Sequence, residues 1–285
     1  MTVARVLSGA DRWAIVHGEN LATMRAMPPQ SVHLVYGDAP FNTGRDFKTD
    51  DDRLAYSDKW PSLDAFVEHI RDRCAAARDL LTLDGCLIVQ VDPETSHYVK
   101  VALDSVFGRD CFRNEIVWRY RRWPAPSRDF QRMHDTLLRY TRQPTSERWT
   151  TLYEALSPSA RSANKQVAVI RDGVRRGSAI SDEPSPGAPL SDVWEVGILA
   201  PSGNERLGYP TQKPRALSER VVAACSLPGD VVLDPWCGSG TTVSAAYALD
   251  RRGIGLDQSP VAVEIATARM LRETAQGRLF AQGAA

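Results

Sequence analysis

At 285 residues, 43% hydrophobic and 25% charged, the chain has room for one large α/β domain or one domain with a sizeable insertion. A formal net charge of zero excludes a global field that gathers nucleic acid, so any basic surface is local, and no apolar run reaches the roughly 18 residues of a membrane span. The five cysteines, Cys74, Cys86, Cys111, Cys225 and Cys237, have neither paired short spacing nor a zinc pattern; with no secretory apolar core near Met1, they read as reduced thiols in a cytoplasmic, metal-free protein.

Trp13 to Val16 is a short apolar strand followed by His17-Gly18-Glu19-Asn20, and Leu21 to Met27 has helical spacing that stops at Pro28-Pro29. Val32 to Tyr36 is the next strand and runs into Gly37-Asp38-Ala39-Pro40-Phe41. Residues just past strand ends line the ligand crevice of an open α/β sheet, which makes Glu19 and Asp38 site candidates. The polar stretch from Asn42 to Trp60, with the acidic run Asp50-Asp51-Asp52, exceeds a mere connector and reads as a mobile functional loop or a locally disordered face. Helical period then predicts a helix over Leu63 to Leu81 and another over about His97 to Phe107; Cys86 to Val91, Glu115 to Tyr120 and Thr136 to Tyr140 read as strands.

Between the last two strands lies a loop that mixes arginine with aromatic residues and proline: Arg121, Arg122, Trp123, Arg128, Phe130 and Arg132. Periodicity fails from Pro144 to Arg206, where Arg171, Arg175 and Arg176 form a second basic cluster and Ser181 to Pro189 reads as a flexible linker. The α/β pattern resumes with a helix from about Arg215 to Ser226, strands at Val231 and Gly253, and a helix from about Pro260 to Arg272. The strand count is about seven.

Two stretches carry chemistry. Val231-Val232-Leu233-Asp234 delivers the chain into Pro235-Trp236-Cys237-Gly238-Ser239-Gly240, and Thr241 opens a helix. Such a turn lets backbone N–H groups approach a ligand, and a helix start favours an anionic group. Asp257, at the end of the next strand, stands where an acid takes ribose hydroxyls. The pair points to a nucleoside-containing cofactor. In the other stretch, Asp38 and adjacent carbonyls form a set of acceptors followed by the ring of Phe41. That set suits a planar base with an exocyclic amino group, since stacking on an aromatic is worth roughly 1–3 kcal/mol. On four residues alone, an Asp-X-Pro turn capping the next segment fits equally well.

The segment Asp38-Ala39-Pro40-Phe41 resembles the Asp-Pro-Pro-Tyr/Phe signature of S-adenosylmethionine-dependent DNA amino-methyltransferases. Asp234 to Gly240 resembles their Asp-Pro-Phe-Cys-Gly-Ser-Gly cofactor motif, and Tyr209-Pro210-Thr211-Gln212-Lys213-Pro214 matches the segment ahead of it in the permuted β-group order. The likeness covers Gly18 to about Arg122 and Asp192 to Arg269. It implies a Rossmann-like α/β fold with circularly permuted motif order, a mainly parallel seven-stranded sheet with helices on both faces and an antiparallel hairpin. It divides the chain into a catalytic part (1–143), an inserted target-recognition region (144–206) and a cofactor-binding part (207–285).

The resemblance also implies roles. Asp38, Ala39, Pro40 and Phe41 grip the base. Thr211, Gln212, Lys213 and the N–H groups of Gly238, Gly240 and Thr241 hold the methionine carboxylate of S-adenosylmethionine. Asp234 and Trp236 face its amino group, Asp257 the ribose, and Glu19 the adenine. Ala39 departs from the usual proline but still supplies a carbonyl, so restoring proline there should leave activity unchanged or raise it. No Pro-Cys pair supplies the nucleophile that methylation at a ring carbon needs; transfer to nitrogen requires only direct attack.

The expected partner is double-stranded DNA, from which the base must be flipped out. Arg121, Arg122, Arg128, Arg132, Arg171, Arg175 and Arg176 are the candidate DNA contacts, and Trp123 and Phe130 could wedge or stack. A homodimer and a separate restriction nuclease are the further partners the resemblance brings. Adenine N6 is the expected target because the tetrapeptide opens with Asp. A cytosine-N4 enzyme, or a DNA-binding homologue impaired in catalysis, is the alternative.

Overall fold

The computed structural model describes residues 1–123, 126, 128–145, 148–155, 166–171, 174–180 and 186–283. The first elements are α1 (Val3–Leu7), β1 (Trp13–His17), α2 (Asn20–Arg25), β2 (Val32–Asp38), β3 (Arg45–Lys48), β4 (Leu54–Asp58), α3 (Leu63–Leu80) and β5 (Leu81–Val91). They are followed by α4 (Ser96–Phe107), β6 (Phe112–Arg119), β7 (His134–Thr141), β8 (Tyr153–Glu154), β9 (Gln166–Arg171), β10 (Val174–Ile180), β11 (Ala188–Pro189) and β12 (Val193–Glu195). The chain closes with α5 (Arg215–Cys225), β13 (Val231–Asp234), α6 (Thr241–Ala248), β14 (Arg252–Asp257) and α7 (Pro260–Gly283).

Eight of these strands form one mixed sheet in the order β1-β14-β13-β2-β5-β7-β6-β12. This exceeds the seven expected. The added strand is β12, three residues long and parallel to β6, too short to show a period of two. Only β7 runs antiparallel to its neighbours. The central strands are near-continuous apolar runs because helices cover them: Leu34, Val35, Val89, Leu233, Ile254 and Leu256 are buried. The helix α3 starts at Ser62, whose hydroxyl accepts the Ala65 N–H at 3.1 Å, and turns Phe66, Ile70, Cys74 and Ala77 inward. The N-cap oxygen fixes where the helix begins and the apolar stripe fixes which face is covered.

The Asn42–Trp60 stretch, expected as a loop, contains the antiparallel hairpin β3–β4. Its acidic run is neutralised locally, Asp50 by Arg206, Asp51 by Arg53 and Asp52 by Lys48. By internal contacts the chain divides into two compact units, Met1–Trp149 with Asp192–Ala285, and Thr150–Ser191. In the smaller unit, β8 pairs β11 and β9 pairs β10, both antiparallel. Ser181 to Ser185 of the expected linker lie outside the described residues. Among the described residues no helix is long and apolar enough to cross a membrane.

Close packing of β14 against the turn after β13 depends on Gly255, where a Cβ would run into the Cys237 sulfur and come within 3.0 Å of Ile15 and Val243. Gly255→Ala is expected to lower stability by about 1–3 kcal/mol, the cost of overpacking a filled core, as read from the denaturant midpoint at constant slope.

Candidate active site

The C-terminal ends of β1, β14, β13, β2, β5, β6 and β12 all lie on one edge of the sheet. The winding direction reverses between β13 and β2: from β13 the chain moves outward to β14, from β2 outward to β5. Ligands of open α/β sheets bind in the crevice beyond the strand ends at such a reversal. A cavity of about 250 Å³ opens there, and its wall includes Asp38 and Phe41 from the early stretch with Asp234, Gly238 and Asp257 from the late one. The two stretches the sequence marks for chemistry therefore share one space.

On the late side, Asp234 is buried and its Oδ1 accepts the Trp236 N–H at 3.0 Å. Burial pushes its carboxyl up to about 7; the Thr242 and Trp236 hydrogen bonds work against this, and the nearby Asp38 and Asp257 carboxylates add to it. Asp257 accepts N–H bonds from Gly238 and Ser259, each at 2.8 Å, and burial raises its carboxyl too. Gly238 and Gly240 have φ of +50° and +78°, the left-handed region that favours glycine. A Cβ at Gly240 would also meet Ala266 at 3.0 Å. Trp236 lies against Gly37 of β2, where a Cβ would come within 2.7 Å of the indole, so the bulk of tryptophan is received by a glycine on the facing strand. From behind, the buried Arg269 donates to the Ser239 carbonyl at 3.2 Å and to the Thr241 hydroxyl at 2.7 Å.

On the early side, Asp38 Oδ2 accepts from Lys213 Nζ at 2.5 Å, while Asp38 Oδ1 is buried with no hydrogen-bond partner. Burial pushes the Asp38 carboxyl up to about 6, opposed by the charge and hydrogen bond of Lys213. The same ammonium sits 5.0 Å from the centre of the Phe41 ring. Lys213 thus faces the Asp38 side of the cavity rather than standing open for a carboxylate. Gln212 spends its amide on the Leu207 N–H and the Glu205 carbonyl, and the Thr211 hydroxyl meets Tyr56 Oη at 3.0 Å. All three line the cavity.

Ala39 is buried, and its N–H donates to the Gln90 carbonyl at 3.2 Å. Proline there would forfeit that bond, which changes the expectation drawn from sequence. Ala39→Pro should cost about 1 kcal/mol of stability, measured by chemical denaturation, with no gain in turnover.

Glu19 does not line the cavity, although the next residue does. Its carboxylate caps α2 through the Leu21 and Ala22 N–H groups and pairs with Arg73 at 2.5 Å. Arg73 in turn holds Asn20 Oδ1 at 2.7 Å, and Asn20 Nδ2 donates to the Pro235 carbonyl at 2.7 Å. The wall residue is Asn20, with Glu19 behind it. Gly240 shapes the turn without lining the cavity.

The loop after β6 leaves from the same sheet edge as Asp38. Arg121, Arg122, Arg128 and Arg132 are exposed in it, and Trp123 and Phe130 are almost wholly so; Pro124, Ala125 and Ser127 lie outside the described residues. Arg122 stacks on Tyr120 at 4.9 Å, and Arg132 pairs with Asp92 and Glu94. Arg171, Arg175 and Arg176 belong to the β9–β10 hairpin of the smaller unit.

Asn20, Tyr56 and Asp58 line the same cavity and Arg269 supports its turn, none of them a candidate from the sequence. Of these, only Asn20 had a signal in the chain, a polar residue at a strand end beside a candidate.

Residues 32–268 match the family described as DNA methylase. This chain belongs to that family. It is an S-adenosylmethionine-dependent DNA amino-methyltransferase of the N6/N4 type. The methylase is 27% identical over 250 residues to the type II methyltransferase M.HpaI of Haemophilus parainfluenzae, covering 88% of this chain and 71% of that one. It is equally 27% identical over 250 residues to the DNA adenine methyltransferase YhdJ of Escherichia coli K12, covering 87% and 79%. Its fold is similar to the PvuII DNA methyltransferase (cytosine-N4-specific), with TM-score 0.63 at 14% identity over 90% of this chain and 86% of that one. It is also similar to M1.HpyAVI in a complex with S-adenosylmethionine, with TM-score 0.55 at 19% identity over 90% and 99%.

The cavity of the methylase fits that cofactor on charge. Two carboxylates, the buried Asp234 and the half-buried Asp257, have their acidity weakened by desolvation, so a ligand carrying an ammonium and a sulfonium would relieve a cost the fold already bears.

Proposed function

We propose that this methylase transfers the methyl group of S-adenosylmethionine to the N6 amino group of an adenine flipped out of double-stranded DNA. The observation that carries this reading is Asp38 Oδ1, a buried acceptor without a partner in the cavity that also holds Asp234 and Asp257. An exocyclic amino group is the donor such an atom calls for, because an unpaired buried oxygen costs about 1–3 kcal/mol.

Bound S-adenosylmethionine would supply an electrophilic methyl group and keep the S–C electron pair as the neutral thioether; the amino nitrogen, cationic once methylated, gives up one proton, which Asp38 Oδ1 is placed to accept. Asp38 Oδ1 and a neighbouring carbonyl of Ala39 or Pro40 accept the two amino hydrogens, which draws the nitrogen lone pair out of ring conjugation. Phe41 stacks on the base. Lys213 holds Asp38 in place from its other oxygen. Asp234 and the Trp236 region receive the methionine amino group, and Asp257 the ribose hydroxyls. Thr211, Gln212 and the Gly238–Thr241 turn surround the carboxylate, and the donors of that turn exclude the N–H groups of Gly238 and Gly240, which are bonded to Asp257 and to the Cys237 carbonyl. Most of the rate comes from holding nitrogen and methyl in line, since no covalent intermediate is needed.

Adenine is favoured by the aspartate that opens the tetrapeptide and by the name of the relative YhdJ. Incubation with labelled S-adenosylmethionine and mixed-sequence duplex tests the reading. Label on N6 of adenine supports it; label on N4 of cytosine replaces it with the cytosine enzyme; DNA binding without label replaces it with an impaired homologue.

The duplex is taken by the exposed arginines of the loop after β6, and the inserted region 144–206 serves as target-recognition region. Replacing Arg121 and Arg128 together by alanine should weaken binding to all duplexes alike. The slope of log K against log salt should become shallower by about 2, near one for each phosphate left without its arginine, in a fluorescence-anisotropy titration.

A further inference from the structure

Asp58 closes β4, and its side chain is buried at 1% exposure. Its Oδ2 accepts the Phe41 N–H at 3.3 Å, the Thr43 N–H at 2.9 Å and the Thr43 hydroxyl at 2.8 Å. Its Oδ1 accepts the Asn42 N–H and the Trp60 indole N–H, both at 3.0 Å. Successive backbone N–H groups that converge in this way form a nest that binds an anion; here the anion is a side chain of the same protein. Asn42, with φ of +61°, supplies the left-handed residue of the turn. Ala39 N–H is bonded to Gln90 and Gly44 N–H to the Asp58 carbonyl, and Pro40 has none. The amides of residues 41–43 therefore all go to one carboxylate.

The same strand reaches the other half of the site. Tyr56, two residues earlier and on the same face, stacks on Phe47 at 4.8 Å and on Tyr209 at 6.4 Å. Its hydroxyl meets Thr211. The hairpin thus braces the segment ahead of the cofactor turn with one side chain and the base-gripping turn with another.

We propose that Asp58 is a positioning residue for methyl transfer: it locks the Phe41–Thr43 turn so that the acceptors and ring offered to the base are set before the base arrives. This rests on the functional reading above. Without that carboxylate the three N–H groups lose their acceptor and the turn explores other conformations. The ring of Phe41 and the carbonyls of Ala39 and Pro40 then lose their mutual spacing. The seats of Asp234 and Asp257, on β13 and β14, remain. The loss should fall on the chemical step and spare cofactor affinity.

The test is Asp58→Asn, which keeps the volume but puts an amide donor among donors. Turnover should fall about 100-fold, the scale of a small misplacement at the reacting centre, across the whole pH range. The Kd of S-adenosylmethionine by calorimetry should stay within about 3-fold. Amide exchange in residues 41–43, slow in the parent protein, should accelerate at least about tenfold while β13 and β14 are unchanged. If that variant does not fold, Thr43→Val, which removes one donor to the same oxygen, should show a smaller loss of turnover with the same split. Turnover retained, cofactor affinity falling in step with turnover, a loss recovered by changing pH, or unaltered exchange in 41–43 would each overturn the proposal. Should the parent protein transfer no methyl group at all, the functional reading fails, and the exchange data still decide whether Asp58 sets the turn.

Discussion

Asp38→Ala should abolish methyl transfer, by roughly a thousandfold or more, and leave the affinity for S-adenosylmethionine nearly intact. An acceptor aimed at developing charge in a dry pocket is commonly worth two to three orders of magnitude, about 3–4 kcal/mol. Asp38 has one oxygen on Lys213 and one buried without a partner, so no other side chain replaces it. The cofactor seats lie on β13 and β14, which is why binding should survive. Single-turnover rates with labelled cofactor, beside a calorimetric Kd, separate the two effects. Activity retained in this variant would remove the amino-group acceptor. The acid limb of turnover follows from the same residue. Burial holds the Asp38 carboxyl at about 6, so the ionised form, and with it the rate, should fall about tenfold per pH unit below that value. This limb is not unfolding. A carboxyl raised above its unfolded value of about 3.9 binds its proton more tightly in the folded state, so ionising it costs stability between roughly pH 4 and 6, and acidification through that window stabilises this group.

S-adenosylmethionine binding should release a proton near neutrality. Asp234 is buried without a cation among its principal influences, and its carboxyl sits at about 7. An ammonium group brought against it favours the ionised form and lowers that value. Affinity should therefore climb with pH, by up to about tenfold per unit below 7, and level off above. Calorimetry at pH 6 in buffers of different ionisation enthalpy reads the proton directly, and Asp234→Asn should abolish the buffer dependence. Identical apparent enthalpies in all buffers for the parent protein would mean that Asp234 does not meet the amino group.

The central strands were legible because burial on both faces leaves uninterrupted apolar runs, as in Val231 to Leu233 and Cys86 to Val89. Asp38, Asp234 and Asp257 were legible because strand ends are where an α/β sheet exposes side chains to a ligand. What escaped was short or tertiary. Val193 to Glu195 is a strand only because β6 offers an edge. The β3–β4 hairpin has a mostly exposed pattern, and polar surface strands read like loops. Asp58 looks like any acid in a polar stretch until residues 41–43 turn their amides toward it. Glu19 was marked for a ligand by its strand-end position, and its carboxylate engages the helix start and Arg73, partners that only the folded chain brings to it. Lys213 was placed by motif near a carboxylate, and the carboxylate it found belongs to the protein.

The central position of β2 has a consequence for how the molecule is made. One flank of β2 is covered by β5, close behind it in the chain, but the other waits for β13, which begins only at Val231. During synthesis a nascent polypeptide can assemble β2, β5, β7 and β6 while leaving a bare apolar edge until Val231 has been made. Unpaired strand edges of this kind recruit other chains. Truncation just before Val231 should therefore yield aggregate rather than a soluble fragment.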